Sequence, residues 1–302
     1  KAMVNLLPLQ AGETITTIMP LPEDENSWDS LDVMFATTMG TVRRNKLSDF
    51  VQVNRNGKIA MKLDEENEGI IGVEVCSASD DVLLTSSAGY AIRFPVEDVR
   101  VFNSRNSVGV RGIRLGASEH VISMAIMRGF EATAEDRVAY LKQAAANRRA
   151  MLADDGEEAD LDALPDDEDV ADIGALDQDK YVAMGAAEQF ILTVTDQGYG
   201  KRSSSFDFRV SGRGGKGIKT TDVSKEGEIG KLVAAFPVED ADQIMLVSNS
   251  GQLIRVPVDG IRFASRSTKG VRVFRTAKDE AVVAVERISE VQDDDDADAT
   301  EE

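Results

Sequence analysis

The stretch Val82-Leu-Leu-Thr-Ser-Ser-Ala-Gly89, with Arg93 four residues beyond its glycine, decides the fold. An aliphatic run passes through Thr and Ser and ends in Gly, the residue that supplies the backbone angles of a tight hairpin turn. It reads as strand, turn, strand. The same frame recurs as Val33-Met-Phe-Ala-Thr-Thr-Met-Gly40, Ile191-Leu-Thr-Val-Thr-Asp-Gln-Gly198 and Ile244-Met-Leu-Val-Ser-Asn-Ser-Gly251, with Arg44, Arg202 and Arg255 at the same offset.

A second glycine follows each arginine by 13 to 16 residues: Gly57, Gly109, Gly217 and Gly270. It leads into Lys58-Ile-Ala-Met, Val110-Arg-Gly-Ile-Arg, Ile218-Lys-Thr-Thr and Val271-Arg-Val-Phe. Each repeat closes on an apolar strand such as Val121-Ile-Ser-Met-Ala-Ile or Val282-Val-Ala-Val. A period of about 50 residues with some four short strands is the mark of a propeller-like ring of antiparallel blades. The fold class expected is therefore all-β, with four full blades over residues 23–130 and 186–288. Residues 1–22 resemble the trailing half of a further blade, as if the chain began mid-repeat.

The equivalent arginines are 49, 109 and 53 residues apart. The long interval holds only one repeat start, so residues 131–185 read as an insertion. Thr133 to Arg149 is expected to be a helix, with Thr133 as N-cap and Asp136 completing a capping-box-like arrangement. Residues 153–179, rich in Asp, Glu, Ala and Gly, and the acidic tail 289–302 are expected to be mostly disordered. As a DNA mimic, either acidic segment could compete for a basic surface; as plain polypeptide, each would only add solubility.

The net charge of −20 argues against a polyanionic partner until it is taken apart. Residues 131–187 carry 16 acidic and 5 basic side chains, and residues 289–302 carry 8 acidic and none basic. The remaining 231 residues hold 30 acidic against 29 basic groups and are close to neutral, so arginines can concentrate on one face. The one cysteine, Cys76, rules out an internal disulfide, and with the one histidine, His120, it cannot build a zinc site. No apolar run reaches membrane-spanning length and no basic-then-apolar leader opens the chain, so a cytoplasmic location is expected.

No nucleophile elbow or nucleotide-binding lysine motif is present. Gly212-Arg-Gly-Gly-Lys-Gly217 lacks the Lys-Ser/Thr ending of a phosphate loop, but its amides, with Arg213 and Lys216, suit a phosphate backbone. Equivalent loops are Arg105-Asn-Ser-Val-Gly109 and Arg266-Ser-Thr-Lys-Gly270. The expected phosphate-contacting set is Arg43, Arg44, Lys46, Lys58, Arg93, Arg105, Arg111, Arg114, Lys201, Arg202, Arg213, Lys216, Lys219, Arg255, Arg266, Lys269 and Arg272, with salt bridges between blades as the competing use of any one of them. Aromatic residues, at 5%, are too sparse for single-strand stacking platforms and favour a duplex held through its backbone.

Val4-Asn-Leu-Leu-Pro-Leu9, Ser107-Val-Gly-Val-Arg-Gly-Ile-Arg-Leu-Gly116, Gly198-Tyr-Gly-Lys-Arg202, Asp242-Gln-Ile-Met-Leu246 and Gly270-Val-Arg-Val-Phe274 resemble the C-terminal DNA-wrapping domain of bacterial DNA gyrase A, a type IIA topoisomerase component. The resemblance covers residues 1–130 and 186–288. It implies a β-pinwheel with strands exchanged between neighbouring blades, non-sequence-specific wrapping of double-stranded DNA on a basic perimeter, and support of negative supercoiling. It further implies the remainder of gyrase A, together with gyrase B, as partners and no membrane, with the fragment itself monomeric. No cofactor and no catalysis are expected in this stretch; ATP, Mg and the cleavage tyrosine belong elsewhere in the parent, so Tyr90, Tyr140, Tyr181 and Tyr199 receive no catalytic role. The family's Gln-Arg-Arg-Gly-Gly-Lys-Gly box is missing from the first blade and echoed only by Ser211-Gly-Arg-Gly-Gly-Lys-Gly217. The resemblance leaves open the equivalent C-terminal DNA-binding domain of topoisomerase IV, and composition leaves open a propeller used for protein recognition.

Overall fold

All four hairpins of the sequence frame are present in the computed structural model, which describes residues 15–51, 57, 59–63, 68–104, 106–154, 174–223, 229–277 and 279–289. They are β1 (Asp32–Thr37) with β2 (Thr41–Lys46), β4 (Asp80–Ser86) with β5 (Tyr90–Pro95), β8 (Phe190–Thr195) with β9 (Tyr199–Ser204), and β12 (Gln243–Ser248) with β13 (Leu253–Pro257). Each turns at the frame glycine, whose φ lies at 80°, 75°, 76° and 82° in Gly40, Gly89, Gly198 and Gly251. The Thr or Ser that opens each turn has a structural reason. The hydroxyl oxygens of Thr37, Ser86, Thr195 and Ser248 accept the backbone N–H four residues on, at 3.2 to 3.4 Å. These four residues are buried, so the turn amide is satisfied where water does not reach.

The closing strands β3 (Ile70–Cys76), β7 (Val121–Arg128), β11 (Leu232–Val238) and β15 (Val282–Ile288) pair with β1, β4, β8 and β12. They form the inner side of the ring, packing β3 on β7, β7 on β11 and β11 on β15. At the β3–β7 contact a Cβ on Gly72 would stand 3.1 Å from that of Met124, so the inner strands meet where a side chain is missing.

The outer strands are lent from one blade to the one before. β6 (Val110–Arg111), in the loop after β5, pairs with β2; β10 (Ile218–Lys219), after β9, pairs with β5; β14 (Val271–Arg272), after β13, pairs with β9. The sheet orders are β3-β1-β2-β6, β7-β4-β5-β10, β11-β8-β9-β14 and β15-β12-β13. The fold is all-β with four propeller-like blades, and the exchange of strands that the resemblance implied is observed. Among the described residues the fourth blade has three strands and the outer edge of β13 is unpaired.

Apolar side chains fill the spaces between blades. Met34, Val82, Leu84, Ile92 and Phe94 belong to one cluster joining the first and second blades, and Leu192, Val194, Ile244, Leu246 and Val258 to another joining the third and fourth. Trp28, 8% exposed, caps the open face of the first blade over Val33 and Phe35, its Nε1–H donating to the Pro22 carbonyl at 3.0 Å. Each fully buried aliphatic side chain contributes about 1.5–3 kcal/mol relative to exposure, so the clusters between blades are a main source of stability.

The insertion folds as α1 (Ala134–Asp154) and α2 (Gln178–Ala187). The capping arrangement expected at Thr133 is present: its Oγ1 accepts the Asp136 N–H at 3.1 Å and Asp136 Oδ2 accepts the Thr133 N–H at 2.9 Å. The second helix is not in the sequence reading, which places disorder across its start; residues 155–173 and 290–302, where disorder is also expected, lie outside the described residues. Both helices pack on the 3-10 turn Ser205–Asp207 of the third blade, with Tyr140 against Phe206 at 5.0 Å and Met184 fully buried. Arg148 pairs with Glu188 at 2.9 Å and lies over the Phe263 ring at 4.8 Å, which ties the insertion to the fourth blade's connection.

Candidate nucleic-acid interface

The arginine four residues beyond each hairpin glycine lies opposite the middle of the first strand of its blade: Arg44 opposite Met34, Arg93 opposite Leu83, Arg202 opposite Leu192, Arg255 opposite Met245. In the first three blades this puts it under the next blade, not on the rim. Arg44 Nε donates to Asp32 Oδ2 at 2.7 Å while its Nη1 reaches the Val96 and Val99 carbonyls of the second blade. Arg93 Nε donates to Asp81 Oδ2 at 2.8 Å, and its Nη1 to the Ser205 carbonyl of the third blade at 2.9 Å. Arg202 Nε donates to the Ile261 carbonyl and Nη2 to the Asp259 carbonyl, at 2.6 and 3.0 Å, and its Nη1 pairs with Asp240.

These three are 7%, 4% and 4% exposed. They correct the expectation that the repeated arginine lines the outer edge: it staples each blade to the next. Burial pulls the Arg93 guanidinium below its ordinary range and pushes the Asp81 carboxyl above its own, and the attraction between the two opposes both shifts. Arg255 has no following blade among the described residues and is exposed.

Two further expected contacts are interior. Arg43 and Lys201, three residues past their glycines, are 0% and 1% exposed. Lys46 keeps its side chain 42% exposed but pairs with Asp32 at 3.0 Å. Lys58 and Arg105 lie outside the described residues.

The lent strands carry what the staple position does not. Arg111, Lys219 and Arg272 are the second residues of β6, β10 and β14, and their register partners are Thr41, Tyr90 and Tyr199, each the first residue after a hairpin glycine. They therefore occupy one position in three successive blades. Arg111 and Arg272 are exposed, and Lys219, partly buried, pairs with Asp222 at 2.7 Å. Arg272 lies over the Tyr199 ring at 4.9 Å and donates to its hydroxyl at 2.9 Å; Lys216 lies over the Tyr90 ring at 4.2 Å. Exposed Arg213 anchors its glycine-rich loop through the Asp98 and Arg111 carbonyls at 2.9 and 3.0 Å. Arg114 and Lys269 are exposed as well, whereas Arg266 is partly buried and donates to the Asp207 and Lys219 carbonyls.

The family model described as DNA gyrase C-terminal domain, beta-propeller, matches residues 31–77, 80–126, 189–239 and 242–289, one match for each blade. The chain belongs to that family.

DNA gyrase A of Granulibacter bethesdensis is 45% identical over 98% of this chain, and that of Rickettsia bellii 43% over 99%. The chain spans 32% of the length of each. DNA gyrase A of Escherichia coli is 33% identical over 99% of the chain and 27% of its own length. Among solved structures, the C-terminal domain of DNA topoisomerase IV superposes with a TM-score of 0.68 at 16% identity, covering 96% of this chain and 70% of the other. The DNA gyrase A C-terminal domain gives 0.64 at 20%, covering 95% and 74%. The fold is thus common to both enzymes' domains.

Within this gyrase-family ring the sequence reading missed one set of cations. Arg100, Arg209 and Arg262 precede Val101, Val210 and Phe263, the residues that bridge in parallel to Arg44, Arg93 and Arg202. They lie on the connections that run along the outer strand of the preceding blade. Arg100 and Arg209 are exposed and Arg262 partly buried. Their signal was in the sequence: each stands seven residues after Arg93, Arg202 or Arg255.

Proposed function

We propose that this domain binds double-stranded DNA without sequence preference and wraps it along the outer edge of the blades, in support of negative supercoiling by the gyrase of which it is part. The observation that carries the reading is the repetition of Arg111, Lys219 and Arg272 at one register position in three successive blades. A duplex backbone offers phosphates at regular steps, and cations repeated by a blade-to-blade rotation meet them in the same way at each step. Exposed Arg100, Arg209, Arg213, Lys216 and Lys269 add charge to the same edge. Base readout needs none of these positions, and bending a site of 20–30 base pairs by up to 90° costs on the order of 1–6 kcal/mol, which several phosphate contacts offset. Strand cleavage and ATP hydrolysis fall to the remainder of gyrase A and to gyrase B.

Mobility-shift titrations of a duplex at two salt concentrations test the reading. Changing Arg111, Lys219 and Arg272 together to Glu should cut affinity more than about tenfold and flatten the log–log salt dependence by about three, at roughly 0.9 per lost phosphate contact. Circular dichroism should be unchanged. Equal binding by both forms, or affinity indifferent to salt, overturns the assignment.

A further inference from the structure

Lys201 is among the least exposed residues of the molecule, yet it carries an ammonium group. Its Nζ donates to the carbonyls of Ser265 at 2.9 Å and Thr268 at 2.6 Å, and to that of Arg266. All three belong to the loop between β13 and β14, so a fourth-blade loop wraps a third-blade cation. Arg43 holds the equivalent place in the first blade, its Nη1 donating to the Ser107 carbonyl and, at 2.9 Å, to the Ser107 hydroxyl in the loop between β5 and β6. In the second blade the position is Ile92, and the loop above it is the glycine-rich one; a Cβ on Gly215 would stand 3.6 Å from Ile92 Cδ1. Two solutions thus serve one problem. A loop of bare glycines lies close on an aliphatic side chain, whereas a loop built of Ser, Arg and Thr is gathered by a buried cation.

The difference matters for a phosphate. A carbonyl oxygen turned outward carries partial negative charge and repels an anion, and the same oxygen bonded to Nζ does not face it. We propose that Lys201 is a positioning residue for the polyanion-binding edge: it holds the Ser265, Arg266 and Thr268 carbonyls inward, sets the loop bearing Arg266 and Lys269 against a phosphate, and takes up a proton when a duplex binds. The inference rests on the DNA-binding reading above and goes beyond it in naming a buried residue and a proton.

Burial holds the Lys201 ammonium down, to about 7; Asp207 and Asp222 pull it up and Arg266 pushes it down further. Asp207, in the turn after β9, is itself pushed up to about 6 by burial against the attraction of Arg266 and Lys201. Lys219, in β10, pairs with Asp222, and Lys269 lies on the loop itself. A phosphate at the loop stabilises the charged amine, so the pKa of Lys201 is higher in the complex than in the free chain. Binding above neutral pH then takes up a proton, and affinity falls as pH rises from 7 through the value in the complex.

The test is calorimetric titration of the full 302-residue chain with duplex DNA at about pH 8, where an ordinary carboxylate or a carboxyl near 6 no longer titrates, in two buffers of different ionisation enthalpy. The native chain should take up a fraction of a proton. Lys201→Met should bind about three- to tenfold more weakly, the loss of roughly one phosphate contact, and take up none. Lys201→Arg should restore the affinity, because Arg43 already fills the equivalent place, and still take up none, because a guanidinium stays charged. Native affinity from Lys201→Met, or proton uptake retained in Lys201→Arg, overturns the inference. Should Lys201→Met fail to fold, the pH profiles of the other two decide: a native affinity that falls between about pH 6.5 and 8.5 beside a flat Lys201→Arg profile supports it, and parallel profiles overturn it. Failure of the native chain to bind the duplex at all sinks the DNA reading itself, and this inference with it.

Discussion

A guanidinium with one neighbour of opposite charge on its own blade and a carbonyl on the next has little freedom to do anything but hold them together. Arg93 is the clearest instance, with Asp81 below it and Ser205 across the junction. Removing it leaves the Asp81 carboxylate buried without its cation, which costs about 3–5 kcal/mol where a buried pair is broken from one side. Arg93→Ala should therefore lower the melting temperature by many degrees, while Arg255→Ala, at the same frame position but exposed, should change stability by no more than about 0.5 kcal/mol. Thermal unfolding of the two variants side by side checks this, and equal shifts would remove the staple. The sequence held a clue to the distinction. Asp32 stands twelve residues before Arg44, and Asp81 twelve before Arg93. The two strands of such a hairpin place that spacing diagonally on one face, two residues from the facing pair, so a repeated Asp-to-Arg interval of twelve reads as an internal ion pair. In the third blade the place of the acid is taken by Phe190, and Asp240 pairs from a different segment, which no spacing announces.

At the scale of the element, the hairpins were legible because each is two strands of five to seven residues around a glycine with a positive φ, long enough for an aliphatic run, a Thr or Ser, the glycine and the arginine to recur in one frame. The segments of the lent strands β6, β10 and β14 stood out behind their glycines, but their pairing did not: two residues have no periodicity, and only the family resemblance implied the exchange. What marks them is the glycine in front. A Cβ on Gly109 would stand 2.0 Å from the Val42 carbonyl oxygen, and one on Gly217 2.3 Å from that of Ala91, with Gly217 at φ 80° besides. Both distances are to backbone, which cannot swing aside. Gly217→Ala should cost about 1–2 kcal/mol from the left-handed backbone alone and more from the overlap. It should release β10 from β5 with the rest of the second blade intact. Faster hydrogen exchange at the Thr220 amide, which now donates to the Gly89 carbonyl at 2.7 Å, is the measurement, and unchanged protection there would sink the account. The helix α2 escaped the sequence reading for a related reason. It is held by one fully buried methionine, Met184, and by Tyr181 against Tyr140, and its start falls in the run 153–179 whose acidic composition argued for disorder.

For the molecule as a whole, −19 of the net charge of −20 belongs to residues 131–187 and 289–302, and no helix among the described residues is long and apolar enough to cross a membrane. The edge itself repeats by rotation, and that geometry makes a demand on the partner. Arg111, Lys219 and Arg272 sit on three different blades, and on the wrapping reading a straight duplex of one helical turn, about 10 base pairs, should meet fewer of them than a longer one bent along the edge. A short duplex should then lose affinity only modestly, and by similar factors, when any one of the three is changed to Ala, because it settles on the remaining two sites. A duplex of several turns, bent along the edge, should engage all three together. Its losses should be larger for each change and additive in free energy, since groups on separate blades share no partner. Fluorescence titration of the single, double and triple variants against a series of duplex lengths measures both quantities. If the penalty of the triple variant is the same for the shortest and the longest duplex, the DNA crosses the domain at one point and does not follow the edge.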